Sequence, residues 1–430
     1  MNKNKEIWVF GFALFSLFFG AGNLILPPFL GATSGTQWWL VFFGFIITAV
    51  FIPMLGIFAH AKVQGTLYDL GKKVSSKFSS IYCIIIYAIA VTIPAPRTAS
   101  VTHEMAISPI FNSHSLLTSS IYFLLVFLFV INRSKIISLI GKILTPVIVI
   151  ILLMMISMTS FFLSENESIS NDHFSFAKGV LEGYQTFDAI GGVVVGAVLI
   201  ISLSSEGYTS YKLKKELITK SCCIAGVGLL MIYGGLIFSG AKLGASFPEN
   251  ASRIEVLTSL SIQTLGNIGT SFLSILVSLA CFTTAVGIVT GTSDYVKGVF
   301  NNSQRAYIFT AFTSSILGVL IGHFKVDFII EIAIPILIFI YPITIVLIVL
   351  NVISNRFTSN IVFRGVVIVT FLFSIPDVLR LYLKNEWFIA LYSWIPLSSQ
   401  TLGWVIPSIL TFLFLNLKPI RKIFKWQKLS

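Results

Sequence analysis

The chain has 430 residues, of which 56% are hydrophobic and 11% are charged. Soluble domains carry about 25% charged residues, so this composition excludes a soluble protein and predicts a polytopic membrane protein. Most of the 29 lysines and arginines fall between alternate apolar segments. This alternation makes the net charge of +12 a topology signal. The basic charge therefore does not indicate nucleic-acid binding.

The apolar segments predict an all-α chain with about twelve transmembrane helices in one transporter domain over residues 1–430. An even number of spans and the basic ends predict a multi-pass protein of the cell membrane with both termini in the cytoplasm. The predicted spans are Ile7–Leu30, Trp38–Ala61, Phe78–Ser108, Leu116–Asn132, Leu139–Leu163, Ala177–Ser204, Ser221–Leu243, Gln263–Phe300, Ala306–Gly322, Phe328–Leu350, Ile361–Leu381 and Leu402–Leu417.

Span one contains FFGAGNLILPPFLG, residues 18–31, directly after an ordinary apolar run. Two glycines, an asparagine and a proline pair are features that a lipid-facing helix avoids, because each unpaired backbone group costs several kcal/mol in lipid. We expect the helix to break between Gly20 and Asn23 and the break to face the bundle interior. Pro27 and Pro28 are expected to end or bend the outer part of the span and to contact no ligand.

Span six is disturbed in a similar way by YQTFDAIGG, residues 184–192. The two breaks are five spans apart, and an odd number of spans per repeat inverts the second copy. Paired broken helices at equivalent positions of two inverted halves indicate the binding site of a secondary transporter. We predict repeats over residues 7–163 and 177–350, with two additional C-terminal helices over residues 361–417.

Asp188 lies inside span six, where a carboxylate costs at least a few kcal/mol unless it has a partner or a cavity. Glycines beside it allow the helix to open. One interpretation is that Asp188 faces the cavity and neutralises a cation, which would be the coupling ion or a substrate ammonium. The other is that it is a structural partner for another buried charge.

Span eight carries ACFTTAVGIVTG, residues 280–291, in which small and hydroxyl residues recur at helical spacing. One interpretation is an alkali-cation site, because hard cations prefer oxygen ligands and two adjacent hydroxyls would supply them. The other is close helix packing, with each hydroxyl bonded to its own helix backbone. The spacing alone leaves both open.

Span three contains PAPRTASVTHE, in which Arg97 and Glu104 are seven residues apart and lie on nearly one helix face. A gating or structural ion pair between them and a substrate contact are equally compatible with this spacing. Asp327 and Glu331 open span ten and are interpreted as an interfacial edge.

The four segments FFGAGNLILPPFLG, PAPRTASVTHE, GYQTFDAIGGVVVG and ACFTTAVGIVTG resemble, in this order, the signature segments of the branched-chain amino acid:cation symporters. The resemblance covers nearly the whole chain. It implies the LeuT-like fold, in which helices 1 and 6 of a five-plus-five inverted repeat are broken. It also implies a sodium site formed by Thr283, Thr284 and the Ala280 carbonyl with backbone carbonyls near Ser16 and Phe19.

The implied substrates are leucine, isoleucine and valine, each a zwitterion with an apolar tail. The carboxylate needs donors such as the exposed amides after the span-one break. The ammonium needs acceptors, and the tail needs an apolar pocket. The residues predicted to bind substrate are Gly20, Ala21, Gly22, Asn23, Phe187, Asp188, Ile190 and Gly191.

The sequence predicts a transporter with no catalytic residues, no organic cofactor and no obligate protein partner; sodium, the substrate and the lipid bilayer are the expected partners. Proton coupling or a different amino acid specificity is the main alternative, because a single buried carboxylate would also carry a proton. A passive channel fits less well, since charged rings and a repeated filter segment are missing from the sequence.

Overall fold

The computed structural model describes residues 3–20, 23–132, 136–162, 175–205, 210–244, 251–383 and 385–417. Within these ranges the chain forms helices and no β-strand. The α-helices are α1 (Lys3–Phe18), α2 (Leu26–Ala32), α3 (Trp38–Ile46), α4 (Ile52–Val63), α5 (Leu67–Gly71), α6 (Ser76–Thr92), α7 (Pro94–Thr102), α8 (Ser115–Asn132), α9 (Ile136–Phe162), α10 (Ser175–Tyr184), α11 (Asp188–Ser205), α12 (Tyr211–Lys242), α13 (Arg253–Val299), α14 (Gln304–Gly322), α15 (Val326–Val352), α16 (Asn360–Tyr382), α17 (Glu386–Ser393) and α18 (Val405–Asn416).

In the described part of the chain, nine helical segments are long and apolar enough to cross a membrane. They correspond to predicted spans two to five and seven to eleven. Spans one and six are each divided into two shorter helices, and α18 at span twelve has 12 residues. That is about 18 Å of helix, less than the roughly 30 Å hydrocarbon core of a bilayer. The total of twelve spans therefore stays a prediction.

The predicted interruptions of spans one and six are present, between α1 and α2 and between α10 and α11. Pro27 and Pro28 lie in the first turn of α2, where a missing N–H group removes no helical hydrogen bond. The expectation that these prolines end or bend the outer part of span one is therefore wrong, because they begin its second half.

Each divided helix packs against a helix of the other predicted repeat. Both α1 and α2 pack on α12, while α10 packs on α3 and α11 packs on α4. Glycines permit close backbone contact here: a Cβ added at Gly31 would lie 1.9 Å from the Ile237 carbonyl oxygen, and one at Gly179 would lie 2.1 Å from the Val41 carbonyl oxygen. Spans one, two, six and seven thus form one bundle, and α7, α8, α13 and α14 pack together as a second.

The helix α13 is bent at Gly266, whose φ of 70° and ψ of −179° are not helical. Only glycine adopts this backbone conformation readily. A straight helix of 47 residues would be about 70 Å long, more than twice the hydrocarbon thickness. The part before Gly266 is thus a separate helical segment that lies mainly before the predicted span Gln263–Phe300. Residues 267–299 form the span itself.

Because α12 and α2 are in close contact, even a methyl side chain at their interface should destabilise the protein. In Gly240→Ala, the new Cβ would lie 2.0 Å from the Pro28 carbonyl oxygen, so the two helices must move apart. We expect a loss of about 1–3 kcal/mol of stability, measured as a lower midpoint of thermal unfolding of the purified protein in detergent.

Gly298→Ala is the matched control, because nothing lies within 4 Å of its added Cβ. Alanine favours the helix over glycine by up to about 1 kcal/mol, so the midpoint should stay constant or rise slightly. Equal midpoints for the two variants would contradict the close packing of α12 on α2.

Candidate functional site

The first break begins where the backbone of α1 leaves the helical pattern. The Gly20 N–H donates to the Phe18 carbonyl at 2.8 Å, whereas a continuing helix would use the Ser16 carbonyl. The Asn23 N–H then donates to the Gly20 carbonyl at 2.9 Å. The break thus frees a backbone acceptor at the end of α1. Ala21 and Gly22, both predicted to bind substrate, lie outside the described residues.

The second break is a short turn between α10 and α11. Phe187 has a φ of 60°, a left-handed conformation that is rare for a bulky residue and that costs about 1–3 kcal/mol. The Thr186 hydroxyl donates to the Gly183 carbonyl at 2.8 Å, and its oxygen accepts the Asp188 N–H at 3.2 Å. This cap begins α11 and fixes the position of the Asp188 side chain.

Asn23 and Asp188 join the two breaks directly. The Asn23 amide donates to Asp188 Oδ1 at 2.9 Å and to the Phe18 carbonyl at 3.2 Å. The Tyr233 hydroxyl of α12 lies 3.5 Å from Asp188 Oδ2 and 3.4 Å from Asn23 Nδ2. Asp188 is 6% exposed, so this carboxylate is buried among neutral donors. The two residues singled out in separate spans therefore belong to one site.

Tyr233 is a site residue that the sequence analysis did not find. It lies in an apolar helix and is fully buried, and nothing in its neighbouring sequence separates it from an ordinary core residue. Its ring also packs against Phe45 and Phe19, with ring centroids 5.5 and 6.4 Å away. The tyrosine thus supports the first break from the side of α12.

The two halves of the predicted ion site lie next to each other. The hydroxyls of Thr283 and Thr284 each donate to the Ala280 carbonyl at 2.9 Å. A Cβ added at Gly20 would lie 3.8 Å from the Thr284 hydroxyl oxygen. The hydroxyl pair of α13 therefore faces the end of α1, and its oxygens retain lone pairs for a further ligand.

The side chains of Ser16 and Phe19 point to other parts of the protein. The Ser16 hydroxyl bonds the Thr145 hydroxyl of α9 at 2.7 Å, and the Phe19 ring stacks on Phe15 at 5.0 Å. Any part that Ser16 and Phe19 take in an ion site would therefore use their backbone carbonyls.

The remaining predicted substrate-binding residues lie at or beside the second break. Phe187 and Ile190 are 5% and 3% exposed and belong to one apolar cluster. Gly191 lies against the first break, because a Cβ added there would be 3.7 Å from the Phe18 ring. An apolar wall thus adjoins the polar contact between Asn23 and Asp188.

Arg97 and Glu104 bond to different partners and not to each other. The Arg97 guanidinium donates to the Gln185 carbonyl at 2.7 Å, whereas Glu104 accepts the Val326 N–H at 2.8 Å. Of the two interpretations of these residues, a direct ion pair between them is therefore not formed in the described structure. Helical spacing places both residues on one face of their span. Each side chain nevertheless bonds a backbone group of another segment, at Gln185 in the turn after α10 or at Val326 at the start of α15.

Arg253 forms a half-buried ion cluster with two carboxylates. Its guanidinium donates at 2.8 Å both to Glu182 of α10 and to Asp327 of α15, and it lies 4.5 Å from the centroid of the Phe29 ring of α2. The cluster connects the second half of span one with the first half of span six. Asp327 thus takes part in an ion cluster near the start of α15. Arg253 and Glu182 were missed because their partners are distant in sequence.

The fold is similar to that of known membrane transporters. Mhp1 in an inward-facing conformation aligns with a TM-score of 0.58 at 13% identity, covering 96% of this chain and 91% of that chain. A Na⁺-coupled sialic acid symporter in an outward-open state aligns with a TM-score of 0.56 at 15% identity, covering 95% and 90%. These structures share the LeuT-like fold, which is therefore also the fold of this protein.

Sequence comparison gives the family. The branched-chain amino acid transport system 2 carrier protein of Pseudomonas aeruginosa is 31% identical over 417 residues, which is 94% of each chain. A family model described as branched-chain amino acid transport protein matches residues 3–421. The family and the fold are those of transporters and not of enzymes, and this chain belongs to the branched-chain amino acid transport protein family.

Proposed function

We propose that the protein is a secondary active symporter that imports leucine, isoleucine and valine together with sodium. The observation that carries this proposal is the contact of the two helix breaks through Asn23 and Asp188, beside the hydroxyl pair of Thr283 and Thr284. Substrate and ion would bind side by side there. The name of the Pseudomonas aeruginosa relative, a branched-chain amino acid carrier, and the Na⁺ coupling of the sialic acid symporter support the same assignment.

The chemistry of the site fits an amino acid. The amides of the span-one break would donate to the substrate carboxylate, and the glycines there let the ligand approach the backbone. Asp188 and the carbonyls of the span-six break would accept from the ammonium. Phe187 and Ile190 would form the apolar wall for the tail. One methylene changes affinity in such a pocket by only about 1–3 kcal/mol, so the three substrates would share the site.

Sodium would bind between α1 and α13. Each threonine hydroxyl donates a hydrogen bond to the Ala280 carbonyl. The oxygen lone pairs of the two hydroxyls would then face the cation. The Ser16 and Phe19 carbonyls would complete the ligands from the first break. Because the ion would fix the break in its binding shape, ion and substrate would stabilise the same state, which is the thermodynamic basis of coupling.

Alternating access would result from motion of the bundle of spans one, two, six and seven against the bundle of spans three, four, eight and nine. The Arg253 cluster joins both divided helices to α13 and α15. On the predicted topology this cluster lies on the extracellular side. It would close that side and release when substrate enters.

Proton coupling is the competing proposal, and the observation that favours it is Asp188. This carboxylate is buried, and its hydrogen-bond partners in the described structure are neutral groups. A proton could neutralise it in place of a metal cation.

Uptake by reconstituted protein tests these proposals. Labelled leucine should accumulate in proteoliposomes under an inward sodium gradient, and less without it. A proton gradient imposed alone should have little effect, and empty liposomes are the control. Accumulation driven by protons alone would favour the competing proposal. Failure of both gradients to drive leucine uptake would overturn symport.

The ion site has a sharper test in the double variant Thr283→Ala with Thr284→Ala. Loss of two oxygen ligands should raise the sodium concentration for half-maximal leucine uptake at least about tenfold, since 1.4 kcal/mol corresponds to a factor of ten. Ser278→Ala is the control, because Ser278 bonds its own helix backbone in the same way on another face of α13. Unchanged sodium dependence in the double variant would remove the site from this position.

A further inference from the structure

Arg97 is a buried cation at the second break that the assignments above leave without a role. It is 3% exposed and projects from α7, which belongs to the bundle of spans three, four, eight and nine. Its guanidinium reaches the other bundle, where it donates to the Gln185 carbonyl at 2.7 Å and lies 5.3 Å from the centroid of the Phe187 ring. It is therefore placed beside the apolar wall of the site.

The hydrogen bonds of Arg97 do not use its full capacity. A guanidinium carries five N–H donors, and among the described residues Arg97 makes one hydrogen bond, to a neutral carbonyl. Burial of an arginine at membrane depth costs several kcal/mol unless the charge is matched. In contrast, the half-buried Arg253 has two carboxylates at 2.8 Å. One carbonyl is a poor match by comparison.

The second unmatched charge nearby is Asp188. Arg97 contacts Gln185 and Phe187 just before Asp188 in the chain, but the two charged side chains form no direct ion pair in the described structure. Asp188 instead accepts hydrogen bonds from neutral groups. The site thus carries one positive and one negative buried charge, and the described structure shows no direct partner of opposite sign for either side chain. A zwitterion has the matching pair of charges, whereas an amine or an amino acid amide lacks the negative one.

We infer that Arg97 binds the carboxylate of the substrate while the ammonium lies toward Asp188, so that Arg97 selects amino acids with a free carboxylate. This inference rests on the proposed function and names the residue that sets its substrate class. A planar guanidinium binds carboxylate through two parallel hydrogen bonds. The Phe187 ring supports the guanidinium, and the Gln185 carbonyl fixes one of its nitrogens.

Competition with labelled leucine uptake in proteoliposomes tests the role of Arg97. Leucinamide keeps the ammonium and the tail of leucine but has no carboxylate. In the wild type, inhibition should need at least about 100-fold more leucinamide than leucine, because a buried donor left unpaired is strongly selective. In Arg97→Gln, leucine should bind at least about 30-fold more weakly, while leucinamide should change little, so the ratio should collapse.

Arg97→Lys separates charge from shape, since it keeps the cation but not the paired donors. Its ratio of inhibitory leucinamide to leucine concentrations should lie between those of the wild type and Arg97→Gln. Arg305→Gln, at an exposed arginine of α14, is the control and should keep the wild-type ratio. If a variant transports too slowly, protection of the purified protein from thermal unfolding by each compound gives the same ratio.

Two failures are distinguishable. If the wild type neither transports leucine nor is stabilised by it, the proposed function is wrong. If the wild type transports leucine but Arg97→Gln keeps the preference for leucine over leucinamide, the carboxylate role of Arg97 is overturned. The same holds if Arg97→Gln unfolds and Arg97→Lys keeps the full wild-type ratio of leucinamide to leucine concentrations. In that outcome the arginine serves only to bind the Gln185 carbonyl.

Discussion

The hydrogen bond between Asn23 and Asp188 is the contact on which the rest of the structure depends. Two helices are interrupted at membrane depth, and each interruption exposes backbone groups that lipid cannot satisfy. The structure compensates with side chains, because the Asn23 amide reaches the Phe18 carbonyl and the Thr186 hydroxyl caps Asp188. The 2.9 Å bond from Asn23 to Asp188 then holds the two breaks together. The other residues of the candidate site lie around this hydrogen bond.

Close helix packing makes this junction possible. The divided helices pack against α12, α3 and α4 with glycines at the contacts, and at Gly31 and Gly179 the neighbouring carbonyl lies where a Cβ would be. This contact holds the half-helices although each has lost the support of a continuous hydrogen-bond ladder. It also places the end of α1 beside α13, so that Gly20 adjoins Thr284. Packing of small residues therefore determines where the polar groups meet, as is common between membrane helices.

Features that depend on neighbouring residues in the chain could be predicted from the sequence. The glycines of both segments located the two breaks, and helical spacing placed Thr283 and Thr284 on one stripe of small and hydroxyl residues without deciding between an ion site and helix packing. The ion cluster of Arg253 could not be predicted, because its carboxylates are 71 and 74 residues away and carry no pairing signal. Tyr233 was hidden for the same reason. The bend at Gly266 was missed because a single glycine in an apolar helix is common, and only its φ of 70° shows that the helix turns there.

Arg253 and Arg97 differ in how the protein compensates their charge, and this difference separates a structural arginine from the one proposed to bind a ligand. Arg253 has two carboxylates at 2.8 Å, so its charge is compensated within the protein and a ligand would gain little by approaching it. Arg97 has one carbonyl and no directly bonded carboxylate in the described structure, so part of its desolvation cost remains uncompensated. A ligand carboxylate would offset that cost on binding, and the gain would be lost again on release. A transporter needs a site of this kind, because a charge fully matched by the protein binds nothing and a ligand bound too tightly does not leave.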